Sequence, residues 1–222
     1  MAERGIIIEF DFAVANGAET LFGTAKEFLA KLDGIPFGVA EESRHLFGKN
    51  ILDGLTGYFT VLKTKKTPQK AARDLSSAFR TVLEENVPSA ITSSFRNFVK
   101  ALVERDVKVV ISTRATVDKV SAAFAPVLGE KVSLYQETSS CYGSVKWDSW
   151  RRACKANKLS PLSTLAVAGS GASVKSALLA GLGSVAVVND HVAYQDFGGA
   201  SDVFTELSGP TAKRILEIMH IQ

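Results

Sequence analysis

The sequence is poor in the residues that build metal sites and disulfide frameworks. Its 222 residues include two cysteines, Cys141 and Cys154, and three histidines. The cysteines lack Cys-x-x-Cys spacing and have no histidine nearby, which argues against a structural zinc site or a disulfide framework. This cysteine usage favours a reducing, cytoplasmic setting.

Long apolar runs and blocks of like charge are also missing. No apolar segment reaches the roughly 18 residues that span a membrane, and the N-terminal apolar run is too short for a secretory signal. The net charge is only +3, and the densest basic cluster is Lys63, Lys65 and Lys66. We therefore expect neither a membrane nor a nucleic acid as a partner.

The apolar residues that are present form short runs typical of buried strands. Hydrophobic residues make up 46% of the chain, enough for a sizeable globular core. Helical patterns separate the runs, as in residues 92–104 and 171–180. This alternation predicts a doubly wound α/β core around a parallel sheet. The predicted strands are residues 5–10, 107–112, 131–136, 163–169 and 184–189.

The stretch from about residue 15 to residue 89 interrupts this alternation. It contains several helical patterns and no strand-like run, and in the last pattern Thr67 and Pro68 mark a helix start. We predict an all-helical cap at residues 15–89, inserted into an α/β core made of residues 1–14 and 90–222.

Polar residues cluster where the predicted strands end, which is the edge at which open parallel sheets bind ligands. Alternation along a strand predicts that Glu9 and Asp11 point the same way and form one acidic site. Alternatively, Asp11 lies in a loop facing water and Glu9 pairs with Lys146 or another base. The strand-end residues are Glu9 and Asp11, Ser112 and Thr113, Gly169 and Ser170, and Asn189 and Asp190.

The segment "GSGASV", which begins at Gly169, offers a second kind of site. With Asp190 about 20 residues later it loosely imitates a dinucleotide fingerprint, although Val174 stands where the third glycine belongs. Backbone amides at this helix start could hold a phosphate or carboxylate. A tight strand-to-helix turn explains the same small residues.

Five segments of the chain form a recognisable series: "IIIEFDF", "ERDVKVVIST", "GSVKWDSWRRACKANKLSP", "LAVAGSGASVKSALLAGLGSVAV" and "SDVFTELSG". Together they resemble the motifs of the haloacid dehalogenase-like hydrolase superfamily. The resemblance is to the phosphoglycolate phosphatase and β-phosphoglucomutase-like subgroup, whose helical cap follows the first strand, and it covers nearly the whole chain.

The resemblance implies phosphoryl transfer with magnesium as the cofactor and a small phosphorylated or anionic molecule as the ligand. Glu9 takes the place of the nucleophile, Asp11 that of the general acid/base, and both that of the magnesium ligands. Thr113, or Ser112 if the register slips by one, supplies the phosphate-binding hydroxyl, and Lys146 the neutralising charge. The remaining ligand-binding candidates are Ser112, Gly169, Ser170 and Gly171.

Two departures from the family pattern concern the catalytic residues themselves. Glu9 replaces an aspartate and is longer by one methylene, and a displacement of about 1 Å can cost about 10²-fold in rate. Gly169 stands where the family has a metal-binding acid, so magnesium should bind weakly or not at all.

The sequence thus predicts a degraded phosphatase that retains a small-anion site between core and cap. Two alternatives stay open: an active phosphomonoester hydrolase that uses Glu9 and Asp11, and a partner-binding regulatory module that uses the cap surface.

Overall fold

A six-stranded parallel sheet forms the centre of the computed structural model, which describes residues 3–138 and 140–221. The strand order is β3-β2-β1-β4-β5-β6, and every pairing is parallel. The predicted doubly wound α/β core is confirmed. The strands are β1 Gly5–Glu9, β2 Lys108–Thr113, β3 Val132–Gln136, β4 Thr164–Ala168, β5 Gly183–Val187 and β6 Val203–Phe204.

The described helices fall into two groups of five: the first group follows β1, and the second begins with the helix that leads into β2. The first group is α1 Phe10–Ala13, α2 Gly17–Asp33, α3 Val39–Glu41, α4 Ile51–Leu62 and α5 Pro68–Ala90, with a π-helical turn at Glu42–Leu46. The second group is α6 Ser93–Val103, α7 Val117–Phe124, α8 Trp147–Ala156, α9 Gly171–Leu179 and α10 Gly209–Ile218, with a 3₁₀ turn at Pro161–Ser163.

The central strand β1 is buried on both of its faces. Ile6 and Ile8 pack into a large cluster that includes Phe10 and Phe95, whereas Ile7 packs against Trp150 on the other side. Consecutive strand residues point to opposite faces of a sheet, so a strand covered by helices on both sides must be apolar throughout. This requirement explains the unbroken "GIII" run.

The described residues between β1 and β2 form helices and loops, with Asn50 making an isolated bridge. Helix α5 starts with Pro68 in its first turn, as predicted, but the Thr67 side chain makes no capping hydrogen bond. Its buried face comprises Ala71, Ala72, Leu75, Phe79, Leu83 and Val87. The assignment of residues 15–89 to a separate cap domain stays a prediction.

A clasp joins this helical segment to the loop between β3 and α8. Asn50 and Cys141 form an antiparallel bridge, and the Tyr142 amide donates to the Lys49 carbonyl at 2.7 Å. The buried Glu42 carboxylate accepts from the Tyr142 hydroxyl at 2.9 Å and lies 3.0 Å from Nε2 of His191. The clasp therefore combines backbone pairing with a buried polar network.

Among the described residues, no helix has both the length and the apolar composition to cross a membrane.

Phe10 offers a test of the packing beneath the strand end. Its ring is fully buried and meets Phe95 and Phe124 edge to face, with centroids 5.5 and 4.8 Å away. We expect Phe10→Ala to lower the free energy of unfolding by about 3–5 kcal/mol, because it leaves a cavity that neighbours fill only in part.

Denaturant unfolding provides the measurement, and Leu162→Ala provides the control. Leu162 is 92% exposed, so its truncation should change stability by less than about 0.5 kcal/mol. Equal losses in the two variants would contradict the packing described here.

Candidate functional site

Glu9 ends β1, and its carboxylate is held by the next strand of the sheet. The residue is 2% exposed. Its Oε2 accepts from the Gly169 amide at 2.9 Å, and its Oε1 accepts from the Ser173 hydroxyl at 2.9 Å. Both donors follow β4, so the carboxylate leans towards the β4 side of the sheet edge.

Ser173 belongs to a network of three serines spaced three residues apart. Its Oγ accepts from the Val145 amide at 3.0 Å and lies 3.1 Å from the donating Ser170 hydroxyl. The Ser176 hydroxyl donates to the Val145 carbonyl at 2.5 Å and accepts from Nε1 of Trp150 at 2.9 Å. Sequence reasoning missed Ser173 and Ser176, although Ser-x-x-Ser-x-x-Ser spacing at a helix start is the available signal.

Asp11 lies in the short helix α1 and binds the opposite neighbour of β1. It is 2% exposed. Its Oδ1 accepts from the Thr113 hydroxyl at 2.6 Å, and its Oδ2 accepts from the Arg114 amide at 2.7 Å. Of the two predicted hydroxyls, Thr113 is therefore the one that contacts a predicted catalytic acid.

The expectation that Glu9 and Asp11 point the same way is wrong. It assumed strand alternation, but β1 ends at Glu9 and Asp11 is helical. Two residues along a helix are rotated by about 200° at 3.6 residues per turn, so the second carboxylate swings towards β2. The alternative is wrong in placing Asp11 in water, because Asp11 is buried. Lys146 is exposed, and the base that acts on Glu9 is Arg114.

Arg114, which sequence reasoning did not select, is the cation that acts on both carboxylates. It is 8% exposed, its guanidinium lies 4.9 Å from the centre of the Phe12 ring, and it donates to the Ser144 carbonyl. Its Nε has no hydrogen-bond partner among the described residues. A basic residue directly after the hydroxyl pair of β2 is the signal in the sequence.

Burial has the largest effect on the pKa values of Glu9 and Asp11. It raises the pKa of Glu9 to about 7, against the lowering effects of the Gly169 amide, Arg114 and Ser173. Burial likewise raises the pKa of Asp11 to about 6, opposed by Arg114 and by its bond from Thr113. Removal of a carboxylate from water disfavours its charged form, and one arginine compensates only in part.

Lys146 precedes α8 and its side chain is exposed. No described hydrogen bond or ion pair joins it to Glu9 or Asp11. Its predicted role in neutralising phosphate charge stays a prediction, and among the described contacts Arg114 is the cation beside the two acids.

Gly169 has no room for a side chain. A Cβ placed there would lie 2.4 Å from the Phe12 carbonyl carbon, 2.4 Å from the Phe12 Cβ and 2.6 Å from the Ala13 nitrogen. Helix α1 thus occupies the space that an acid at this position would need. The local packing therefore leaves no space for a carboxylate at residue 169.

The start of α9, where the small residues suggested an anion site, is already hydrogen-bonded within the chain. The Gly171 amide donates to Oε1 of Gln195 at 2.8 Å, and the Ser173 amide donates to the Ser170 hydroxyl at 3.2 Å. A Cβ on Gly171 would lie 2.3 Å from the Asp196 carbonyl oxygen. These contacts favour the tight-turn interpretation over dinucleotide binding.

The residues present do not fit the magnesium ion that the family resemblance implies. All four carboxylate oxygens of Glu9 and Asp11 accept hydrogen bonds from protein donors. Within residues 3–138 and 140–221, no group of three His, Cys, Asp or Glu side chains is arranged to hold a metal. Magnesium needs several oxygen ligands in near-octahedral geometry, and Gly169 supplies no side-chain oxygen.

Comparison with solved structures identifies the fold. β-Phosphoglucomutase from Clostridium difficile superposes with a TM-score of 0.70 and 14% identity, covering 99% of this chain and 98% of that one. A haloacid dehalogenase (HAD) hydrolase of family IA, variant 3, from Entamoeba histolytica gives 0.68 and 13%, covering 98% and 99%. The chain has the haloacid dehalogenase-like fold.

A third structure with this fold, CbbY from Rhodobacter sphaeroides in complex with phosphate, gives a TM-score of 0.63 and 15% identity, covering 93% of this chain and 95% of that one. No protein-family model and no curated protein sequence matches the chain. Identities this low establish a shared haloacid dehalogenase-like fold and leave the activity to be argued from the site.

The contact between Gly169 and α1 can be tested with a single methyl group. We expect Gly169→Ala to lower the free energy of unfolding by about 1–3 kcal/mol, because backbone atoms of Phe12 and Ala13 must shift to admit the Cβ. The matched control is Gly57→Ala in α4, where nothing lies within 4 Å of the added carbon.

The control should gain about 0.5–1 kcal/mol, because alanine is the better residue in a helix. Thermal or urea unfolding measures both variants. A Gly169→Ala variant as stable as Gly57→Ala would contradict the described packing.

The raised pKa values predict how stability changes with pH. The folded chain holds the Glu9 proton up to about pH 7, whereas the unfolded chain releases it near 4.5. The free energy of unfolding should therefore fall by about 3 kcal/mol through Glu9 as pH rises across that range, and then level off. Asp11 contributes in the same direction over its lower range.

Glu9→Gln isolates this contribution, because glutamine carries no charge at any pH. The variant should gain stability relative to the parent chain as pH rises from about 4.5 to about 7, measured by urea unfolding at each pH. Glu130→Gln, at an exposed position, is the control and should follow the parent. A constant difference between Glu9→Gln and the parent would refute a raised pKa at Glu9.

Proposed function

We propose that this chain is a haloacid dehalogenase-like protein that has lost metal-dependent phosphatase activity and binds a small anionic molecule between its core and its helical segment. The packing of α1 against Gly169 carries the first part of the proposal. It fills the place of a metal-binding acid with backbone atoms.

The state of Glu9 also supports a loss of phosphoryl transfer. A carboxylate nucleophile must approach phosphorus directly, yet Glu9 is 2% exposed and both of its oxygens are hydrogen-bonded inside the protein. Attack would require breaking these bonds and opening the strand end. Asp11 is equally buried, so proton transfer to a leaving group meets the same obstacle.

The anion-binding part of the proposal rests on charge and on a structural relative. Arg114 places a buried positive charge at the sheet edge. The similar CbbY structure is a complex with phosphate. A fold that accommodates phosphate in a structural relative can retain anion binding after its catalytic groups have changed.

One observation favours an active phosphomonoester hydrolase instead. The pKa values of Glu9 and Asp11, about 7 and about 6, lie in the range where general acids and bases are most effective. In that alternative, Glu9 attacks phosphorus or activates a water that does so, the phosphorus–oxygen ester bond breaks, and Asp11 protonates the departing alcohol oxygen.

A phosphate-release assay separates the two functions. A panel of small phosphomonoesters is incubated with the chain, with and without magnesium, and free phosphate is measured. We expect no magnesium-dependent release above the Glu9→Ala background, because neither carboxylate is accessible to a metal-bound substrate. Glu19→Ala, an exposed glutamate on α2, is the matched control.

Magnesium-dependent turnover that Glu9→Ala abolishes and Glu19→Ala preserves would establish the active hydrolase. Turnover equal in all three proteins would point to a contaminant and leave the proposed loss of activity standing.

A further inference from the structure

A groove separate from the buried carboxylates runs along α5. It lies between α5, the start of α4 and the described residues of the loop after β3. Its outer part has a volume of about 560 Å³ and its inner part about 110 Å³. Ile51, Ser76, Arg80 and Ser140 line both parts, so the two are continuous.

One stripe of α5 supplies this groove with hydrogen-bond donors. Gln69, Arg73, Ser77 and Arg80 line its outer part and recur at spacings of four, four and three residues, which places them on one side of the helix. None of these four side chains has a hydrogen bond or ion pair among the described residues. The groove therefore presents unpaired donors next to the buried apolar face of the same helix.

The charge along the groove is predominantly positive. Arg73 and Arg80 line the outer part, and Arg114 lines the inner part. Glu137 is the acid among the described lining residues, and it lies at the inner end with Arg114. The two outer arginines are thus left without a carboxylate partner in the described residues.

Arginine pairs favour oxyanions with more than one negative charge. A guanidinium offers a planar fork of donors that matches phosphate oxygens, and the flexible stems of two arginines seven residues apart let both forks reach one group. A phosphate ester carries a charge of about −1.5 to −2 near neutral pH, whereas a simple carboxylate carries −1. The outer volume of about 560 Å³ lies within the roughly 300–1,000 Å³ typical of small-molecule sites.

We propose that this groove binds a small molecule bearing a phosphate group, with Arg73 and Arg80 holding the phosphate and Ile51 and Leu52 packing against its carbon skeleton. The proposal rests on the proposed function, since it gives the anionic molecule a location and a chemical class. It places the ligand on α5 and not on Glu9 and Asp11.

Calorimetric titration with inorganic phosphate, glycerol phosphate, glycerol and acetate tests the proposal in about 150 mM sodium chloride, where diffuse surface attraction is largely screened. We expect saturable binding of both phosphates and none of glycerol or acetate. The double variant Arg73→Gln/Arg80→Gln should weaken phosphate binding at least tenfold. Arg96→Gln, which removes an exposed arginine from α6 outside the groove, should bind like the parent.

Phosphate binding that the double variant leaves unchanged would overturn the groove as the site while preserving anion binding elsewhere. Equal binding of acetate would overturn phosphate as the ligand class. Absence of saturable binding would overturn both the groove and the anion-binding part of the proposed function. Loss of catalysis is judged separately, by the phosphate-release assay.

Discussion

The structure depends on keeping the Glu9 carboxylate inside the protein at the end of the central strand. Burial of a carboxylate is costly unless hydrogen bonds and a counter-charge replace water. Here the Gly169 amide and the Ser173 hydroxyl bind its two oxygens, and Arg114 supplies positive charge. These partners come from β4, α9 and the end of β2, so one acid ties three elements to β1.

The neighbouring contacts close the sheet edge around this acid. Helix α1 lies against Gly169, Asp11 is bound by Thr113 and the Arg114 amide, and Gln195 binds the amide at the start of α9. Groups that could otherwise contact a metal or a phosphate instead contact one another. Since each bond satisfies a buried polar group, an opening at any one point would leave its partners unpaired.

The clasp, which includes the Glu42 network, joins the helical segment to the loop between β3 and α8. Backbone pairing of Asn50 with Cys141 holds the segment against the loop before α8, and the Glu42 network seals the contact with Tyr142 and His191. Asn50 of this clasp also lines the open groove on α5. The carboxylates at the sheet edge are thus closed off by protein contacts, whereas the positively charged groove on α5 is open.

The fold could be predicted from the sequence, because its main features are local. Short β-branched runs alternating with amphipathic helices specify a parallel sheet covered on both sides. The ends of the five predicted strands lie within two residues of those observed, whereas the short β6 was not among them. Sequence analysis also selected Glu9, Asp11, Thr113 and Gly169, which the structure brings to one sheet edge. Gly169 stands where the family pattern has an acid, and in the structure it packs directly against α1.

The contacts that these residues make could not be predicted from the sequence. The change from strand to helix at Phe10 turned Asp11 away from Glu9, and no periodicity in a five-residue strand locates that change in advance. Arg114, Ser173 and the arginines of α5 gain their roles from contacts between elements distant in sequence. Such contacts depend on how whole helices pack, which local residue patterns do not encode.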